Sequence, residues 1–250
     1  MKQGFNQIIQ TFQKNVDSVY NLMKFDEIIQ AFCITALQRV NKFLEKHDLS
    51  NHPSCSVQKE LQQIEKIRSH KSLRPHYQIM LNQCVVLLVS YFASAVEDLF
   101  VDALSFTLKR GGSEKLNKEE LKLTIDELQA MNFNLSDNIG ELIATKKDIS
   151  FQDMKNIARA FKSYLGFEPH KDKNVNNIIL AQACRHAIVH SGGVVKDRII
   201  KQVSHATPRQ VKQDLSLNQR LSFTTDEIRT IGASMTNYLD NLIQGLNKNL

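Results

Sequence analysis

Apolar residues recur along much of the chain at the three- and four-residue intervals of a helix. Phe5, Ile8, Ile9, Phe12, Val16, Val19 and Met23 form one such run. Ile28, Ile29, Phe32 and Val40 form a second, with Asp26 marking a break between the two. Asn51-His52-Pro53-Ser54 reads as a loop, and the spacing predicts a short charged helix from Val57 to Arg68. Ser72-Leu73-Arg74-Pro75 opens the longest element, a helix over 77–110 of roughly 50 Å at about 1.5 Å per residue. Between Cys84 and Leu104 it is apolar on most sides, as a central helix packed by neighbours must be. Gly111-Gly112-Ser113 stops it, because glycine tolerates the left-handed conformation that closes a helix.

From Glu114 to Ile149 the pattern allows one or two short helices, with a loop at Asn132-Phe133-Asn134. The period returns from Phe151 to Leu165 and ends at Gly166. After the polar turn Pro169-His170-Lys171-Asp172-Lys173, a helix runs from about Val175 to Ser191 and stops at Gly192-Gly193. Residues 194–220 show no period and contain Pro208. Thr224-Thr225-Asp226-Glu227 has capping-box spacing and starts a final helix through Ile228, Ile231, Met235, Leu239 and Leu242. With no repeat and no long linker, the reading is one all-α domain over 1–250, with N-terminal helices in 1–72 before the core at 77–250.

Composition agrees with long helices. Nine Gly and four Pro in 250 residues are too few to punctuate a sandwich or barrel. The net charge of +6 permits a polyanionic partner, although no dense basic block occurs. Four cysteines without a CxxC pair fit a reducing compartment. The polar N-terminus lacks a signal-peptide core, and the apolar run from Cys84 to Phe92 is too short to span a bilayer. The expected location is therefore the cytoplasm, with no membrane partner.

The segment 181–193 carries the most chemical information. Arg185, His186 and His190 occupy the last turns of an otherwise apolar helix, just before its glycine stop. Cations at a helix C-terminus interact favourably with the macrodipole and its free carbonyls, which is one sufficient reason for them. The other reason is catalytic. Arg185-His186-Ala187-Ile188-Val189-His190 resembles the R-x(4–6)-H motif of HEPN ribonucleases, all-α proteins in which a polar residue often follows the Arg. The layout is similar too: a long early helix carries Ser90-Tyr91-Phe92-Ala93-Ser94-Ala95-Val96-Glu97-Asp98-Leu99-Phe100, and one amphipathic helix follows the motif. RiboL-PSP-type HEPN proteins, many with toxin or antiphage roles, are the nearest in layout. The resemblance covers most of Tyr77 to Leu246. A second spacing of this kind, Arg198 to His205, falls in the aperiodic stretch and is set aside for that reason.

The resemblance implies a HEPN-like bundle and a metal-independent endoribonuclease without cofactor, leaving 2′,3′-cyclic phosphate and 5′-hydroxyl ends. RNA brings its own nucleophile, so such cleavage needs a base, an acid and positive charge at phosphorus. His190 would be the acid/base, Arg185 the transition-state cation, and His186 a phosphate-binding group. At 100° per residue His186 and His190 share a face, while Arg185 lies about 140° round from His190. One helix does not easily aim Arg185 and His190 at a single phosphate; two copies could. That agrees with the family, whose active sites typically form across a homodimer. A toxin of this kind would also need an antitoxin or sensor partner.

Two further sets are candidates for substrate contact. Ser90, Ser94 and Glu97 make a polar strip, where Glu97 either pairs with Arg185 or orients a histidine, or belongs to the solvated edge with Asp98 and Asp102. Lys196, Arg198, Lys201, Arg209, Lys212 and Arg220 outweigh Asp197 and Asp214 by +4. Lys196, Lys201 and Arg209 in that stretch either track an RNA backbone or cover an ordinary solvated loop.

Two other classes stay open. His186 and His190 at i, i+4 spacing could hold zinc, with His170 or Cys184 conceivable as a third ligand, but Ala187 stands where a zincin has Glu. A non-catalytic module for RNA binding or dimerisation is the other. No P-loop, dinucleotide fingerprint or Gly-x-Ser-x-Gly elbow occurs to support other chemistries.

Overall fold

The computed structural model describes residues 2–47, 57, 59–62, 74–112 and 116–249. Among these the fold is all-α, with no β-strand and a single antiparallel bridge between Val194 and Arg220. The helices are α1 (Lys2–Lys46), α2 (Arg74–Lys109), α3 (Ile125–Ala130), α4 (Leu135–Lys146), α5 (Met154–Leu165), α6 (Lys173–His190), α7 (Asp197–Val203) and α8 (Thr225–Asn249). A 3-10 turn at Leu116–Lys118 precedes α3.

The central position of α2 follows from its side chains. Val85, Leu88, Phe92, Val96, Leu99, Phe100 and Leu104 are all fully buried, and they point in several directions around the helix. α2 accordingly packs against α1, α4, α5, α6 and α8. The apolar run extends well past Cys84–Phe92. Residues 78–109 have the length and mean hydropathy to cross a membrane, and 56% of that apolar window is buried inside the protein. Aromatic contacts tie the layers together. Phe92 meets Phe12 of α1 and Tyr238 of α8 with ring centroids 6.4 and 5.7 Å away, and Phe100 meets Phe161 of α5 at 5.4 Å. Burying each such ring stabilises the fold by roughly 1.5–3 kcal/mol.

Asp26 does not break α1. The helix runs through it for 45 residues, with its one glycine, Gly4, in the first turn and no proline to stop it. Its first half supplies Phe5, Phe12, Val16, Val19 and Met23 to the core. Beyond Met23 no described residue of α1 is fully buried. The expected loop at 51–54 and most of the expected helix at 57–68 lie outside the described residues, although 57 and 59–62 are helical.

Local signals set most other boundaries. Asp153 caps α5 by accepting from the Asn156 N–H at 2.8 Å, and Asp172 caps α6 by accepting from the Val175 N–H at 3.0 Å. Gly192 and Gly193 follow α6 with φ of 58° and 77°, a turn that side chains resist. The Thr224–Glu227 capping box forms, with hydrogen bonds of 2.9 and 3.2 Å. Thr124 and Glu127 build a second box at α3 that sequence analysis passes over. One hydrophobic cluster runs from Phe5 to Leu246 and joins α1, α2, α4, α5, α6, α7 and α8.

Candidate functional site

α6 carries two kinds of surface. Ile178, Leu180, Ala181, Ala183, Cys184 and Ala187 are wholly buried and face the core. Gln182, Arg185 and His186 instead line an open cleft of about 810 Å³. The start of α5 forms another wall through Gln152, Asp153, Met154 and Lys155, while Lys171 enters just ahead of α6. α7 and the turn after it complete the cleft with Arg198, Lys201, Gln202 and His205.

The electrostatics of this space are one-sided. Lys155, Lys171, Arg185, Arg198 and Lys201 line it, and none is paired with a described carboxylate. Asp153 is the single lining acid, and both its oxygens already accept from Asn156, at 2.8 and 2.6 Å. Two donors deepen the bias. The Gln182 Oε1 accepts from the Met154 N–H at 3.1 Å, but its Nε2 is buried without a hydrogen-bond partner in the protein. The Arg185 Nε is buried and unpartnered as well. A buried donor left unmade costs roughly 1–3 kcal/mol, so the site favours a ligand bringing acceptor oxygens.

His186 titrates below its ordinary value of 6.5: burial disfavours its charged form, and Arg198, His190 and Arg185 repel a proton. Near neutral pH it is therefore a neutral imidazole, able to accept a proton while surrounded by cations. His190 is exposed and outside the cleft lining, and its ring centroid stands 4.7 Å from that of His186. The shared face expected from i, i+4 spacing is present. Arg185 and His186 enter the cleft, and His190 reaches it only through His186.

The remaining candidates divide. Lys201 lines the cleft; Lys196 is exposed and does not. Arg209 is not free to hold RNA. Its Nε donates to the Lys212 carbonyl at 2.9 Å, Nη1 to those of Ala206 and Val203 at 3.1 and 3.3 Å, and Nη2 to that of Gln213 at 2.8 Å. The guanidinium is occupied in holding a turn closed. Lys212 is likewise engaged, by Glu227 at 2.8 Å and over the Phe223 ring at 5.2 Å. Glu97 is exposed on α2 and absent from the cleft lining. Partial burial, Asp98 and Glu141 raise its pKa, which sets it among carboxylates rather than beside Arg185.

The third ligands of a zinc reading point elsewhere. Cys184 is wholly buried, its thiol pushed up to about 12 chiefly by burial, and His170 lines a separate cavity beside Tyr238. No group of three or more metal-ligating side chains comes together among the described residues.

Sequence reasoning missed Gln182, Lys155, Lys171, Arg198 and His205. The last two were set aside as belonging to an aperiodic stretch, yet 197–203 is a helix with Ile199 and Val203 buried against the core. Ile199 and Val203, one turn apart behind Asp197, were the available signal; seven residues are too few for a period to stand out. No family model, curated protein or solved structure matches the chain.

Proposed function

We propose that this chain is a metal-independent endoribonuclease that binds RNA phosphates in the cleft between α5, α6 and α7. The observation that carries the reading is the convergence of five unpaired cations and a neutral histidine on one 810 Å³ space, around two buried donors without partners. Phosphate oxygens satisfy such donors, and the planar Arg185 guanidinium suits them best. The reaction is attack of the ribose 2′-oxygen on the adjacent phosphorus with loss of the 5′-oxygen. His186 accepts the 2′ proton and returns it to the leaving 5′-oxygen, Arg185 stabilises the charge gathering on the phosphoryl oxygens, and His190, its ring 4.7 Å from that of His186, holds that imidazole in place. The Arg185-to-His190 spacing and its resemblance to the HEPN ribonuclease motif support a role for both residues; the proton transfer is assigned to His186 because it, and not His190, lines the cleft.

The exposed position of His190 favours one second reading, an RNA-binding module without catalysis. Incubating a mixed RNA with the protein in EDTA, and identifying the product ends, separates the two. Nuclease function predicts 2′,3′-cyclic phosphate and 5′-hydroxyl ends from wild type and none from His190→Ala, with both proteins binding RNA. Binding without cleavage by wild type selects the module. Failure to bind RNA removes both readings.

A further inference from the structure

The outer half of α1 presents an apolar surface that no helix among the described residues covers. Phe25, Ile28, Phe32, Val40 and Phe43 are 61%, 58%, 70%, 46% and 59% exposed. Together with Ala36 they fall within an arc of about 120° when placed at 100° per residue. Half-buried Cys33, Leu37 and Leu44 lie to one side of that arc.

The order of the stripe is its informative property. Successive steps from Phe25 to Phe43 are three, four, four, four and three residues, a sequence that reads the same in both directions. It advances 18 residues in five steps, the 3.6-residue turn of a straight helix, so the stripe does not drift around the axis. Its midpoint is position 34. Turning a second copy end for end about that point sets Phe25 against Phe43 and Ile28 beside Val40. It also sets bulky Phe32 beside small Ala36, and each pairing occurs twice. Exposed Arg39 falls inside the arc, between the directions of Ile28 and Phe32, where its stem can lie on the partner while the guanidinium reaches water.

The area is sufficient. At roughly 150–250 Å² for a whole aromatic side chain, the five exposed groups leave about 600 Å² per copy. Complete cover of these groups on both copies would bury about 1,200 Å², the lower bound of a stable specific interface. A contiguous apolar patch of that size is also large for a surface left facing water.

We infer that this protein forms a homodimer through antiparallel pairing of the outer halves of two α1 helices, centred on position 34. α1 contributes no residue to the cleft, so each protomer keeps its own. The pairing is independent of the nuclease reading and stands or falls without it.

Light scattering after size exclusion at micromolar concentration should give twice 28.6 kDa for wild type. It should give the monomer mass for Phe32→Glu, with unchanged helicity, because Phe32 is 70% exposed and supports no core contact among the described residues. Register is read by placing a benzoylphenylalanine photocrosslinker at position 43 in a mixture of light and heavy isotope-labelled protein. Crosslinks between copies should land on residues 22–28. A monomeric wild type, or a dimer that survives Phe32→Glu, overturns the inference. Crosslinks onto residues 40–46 overturn the antiparallel arrangement.

Discussion

Arg185 and Arg209 are both half-buried, the first lining the cleft and the second holding the turn behind α7, and are put to opposite uses. Arg209 places three guanidinium nitrogens on four backbone carbonyls, including that of Val203 at the end of α7. Arg185 has a buried Nε with nothing to bond. Counted along the chain they are equal charges; in the fold, Arg209 is consumed by architecture and Arg185 is held in reserve. A cation's availability to a ligand depends on how many of its donors the fold has already claimed. Arg209 also shows what the reserve depends on, since it fixes the turn behind α7, the helix that presents Arg198 and Lys201.

The sharpest way to break this contrast is to truncate each arginine. Arg185→Ala should lower RNA cleavage by about 10²–10³-fold, the cost of losing one preorganised transition-state donor. Its Tm should stay level or rise slightly, because a buried unpaired donor goes with it. Arg209→Ala should do the reverse, costing about 2–4 kcal/mol in chemical denaturation as four carbonyls, three of them in part-buried bonds, lose a charged partner. Arg209→Lys should recover little, since an ammonium cannot span the same fork. If Arg209→Ala instead leaves stability intact and weakens RNA affinity, the assignment of the two residues is inverted.

Smaller changes sharpen the picture. Lys201→Glu should weaken RNA binding about tenfold at low salt and flatten the dependence of log affinity on log salt by about one or two contacts. Lys212→Glu should leave that slope alone, its charge being committed to Glu227. The smallest effect concerns His186. Its folded pKa lies below the ordinary 6.5, so the unfolded chain takes up the proton first as pH falls. Stability should therefore decline as pH drops through 6.5, the loss being complete below the folded pKa, while His186→Gln flattens that slope. RNA binding should tighten over the same window, because protonated His186 adds a cation to the cleft.

Most of the fold was legible because burial imposes a period. α2 was expected at 77–110 and forms at Arg74–Lys109; α6 was expected from 175 to 191 and forms at Lys173–His190. The Gly166, Gly192-Gly193 and Thr224–Glu227 signals all act where they were read. Asp26 misled because one acid in a long helix costs only tenths of a kcal/mol in propensity, far less than a break requires. The site was half legible. Arg185 and His186 stand out on an apolar helix, whereas Lys155, Lys171 and His205 acquire meaning only when α5 and α7 fold beside α6. For Arg209 the sequence shows the charge and conceals the four backbone hydrogen bonds that occupy it.

The bridge between Val194 and Arg220 deserves a broader reading. Around it, Val195 donates to the Gln219 carbonyl at 2.9 Å and Leu221 to that of Gly193 at 2.7 Å, while Asn82 reaches across from α2 to the Leu221 carbonyl at 3.1 Å. Backbone therefore clasps backbone where the excursion leaves and rejoins the bundle. Such a neck places little demand on side-chain identity. Between 196 and 218 the apolar anchors are few, chiefly Ile199, Val203 and Val211. Apart from Arg209, which holds the turn closed, the exposed positions between those anchors can change in charge and shape while Arg185 and His186 stay where α6 holds them. On the proposed reading the excursion is an exchangeable cassette, through which substrate preference would diversify without redesigning the body that carries it.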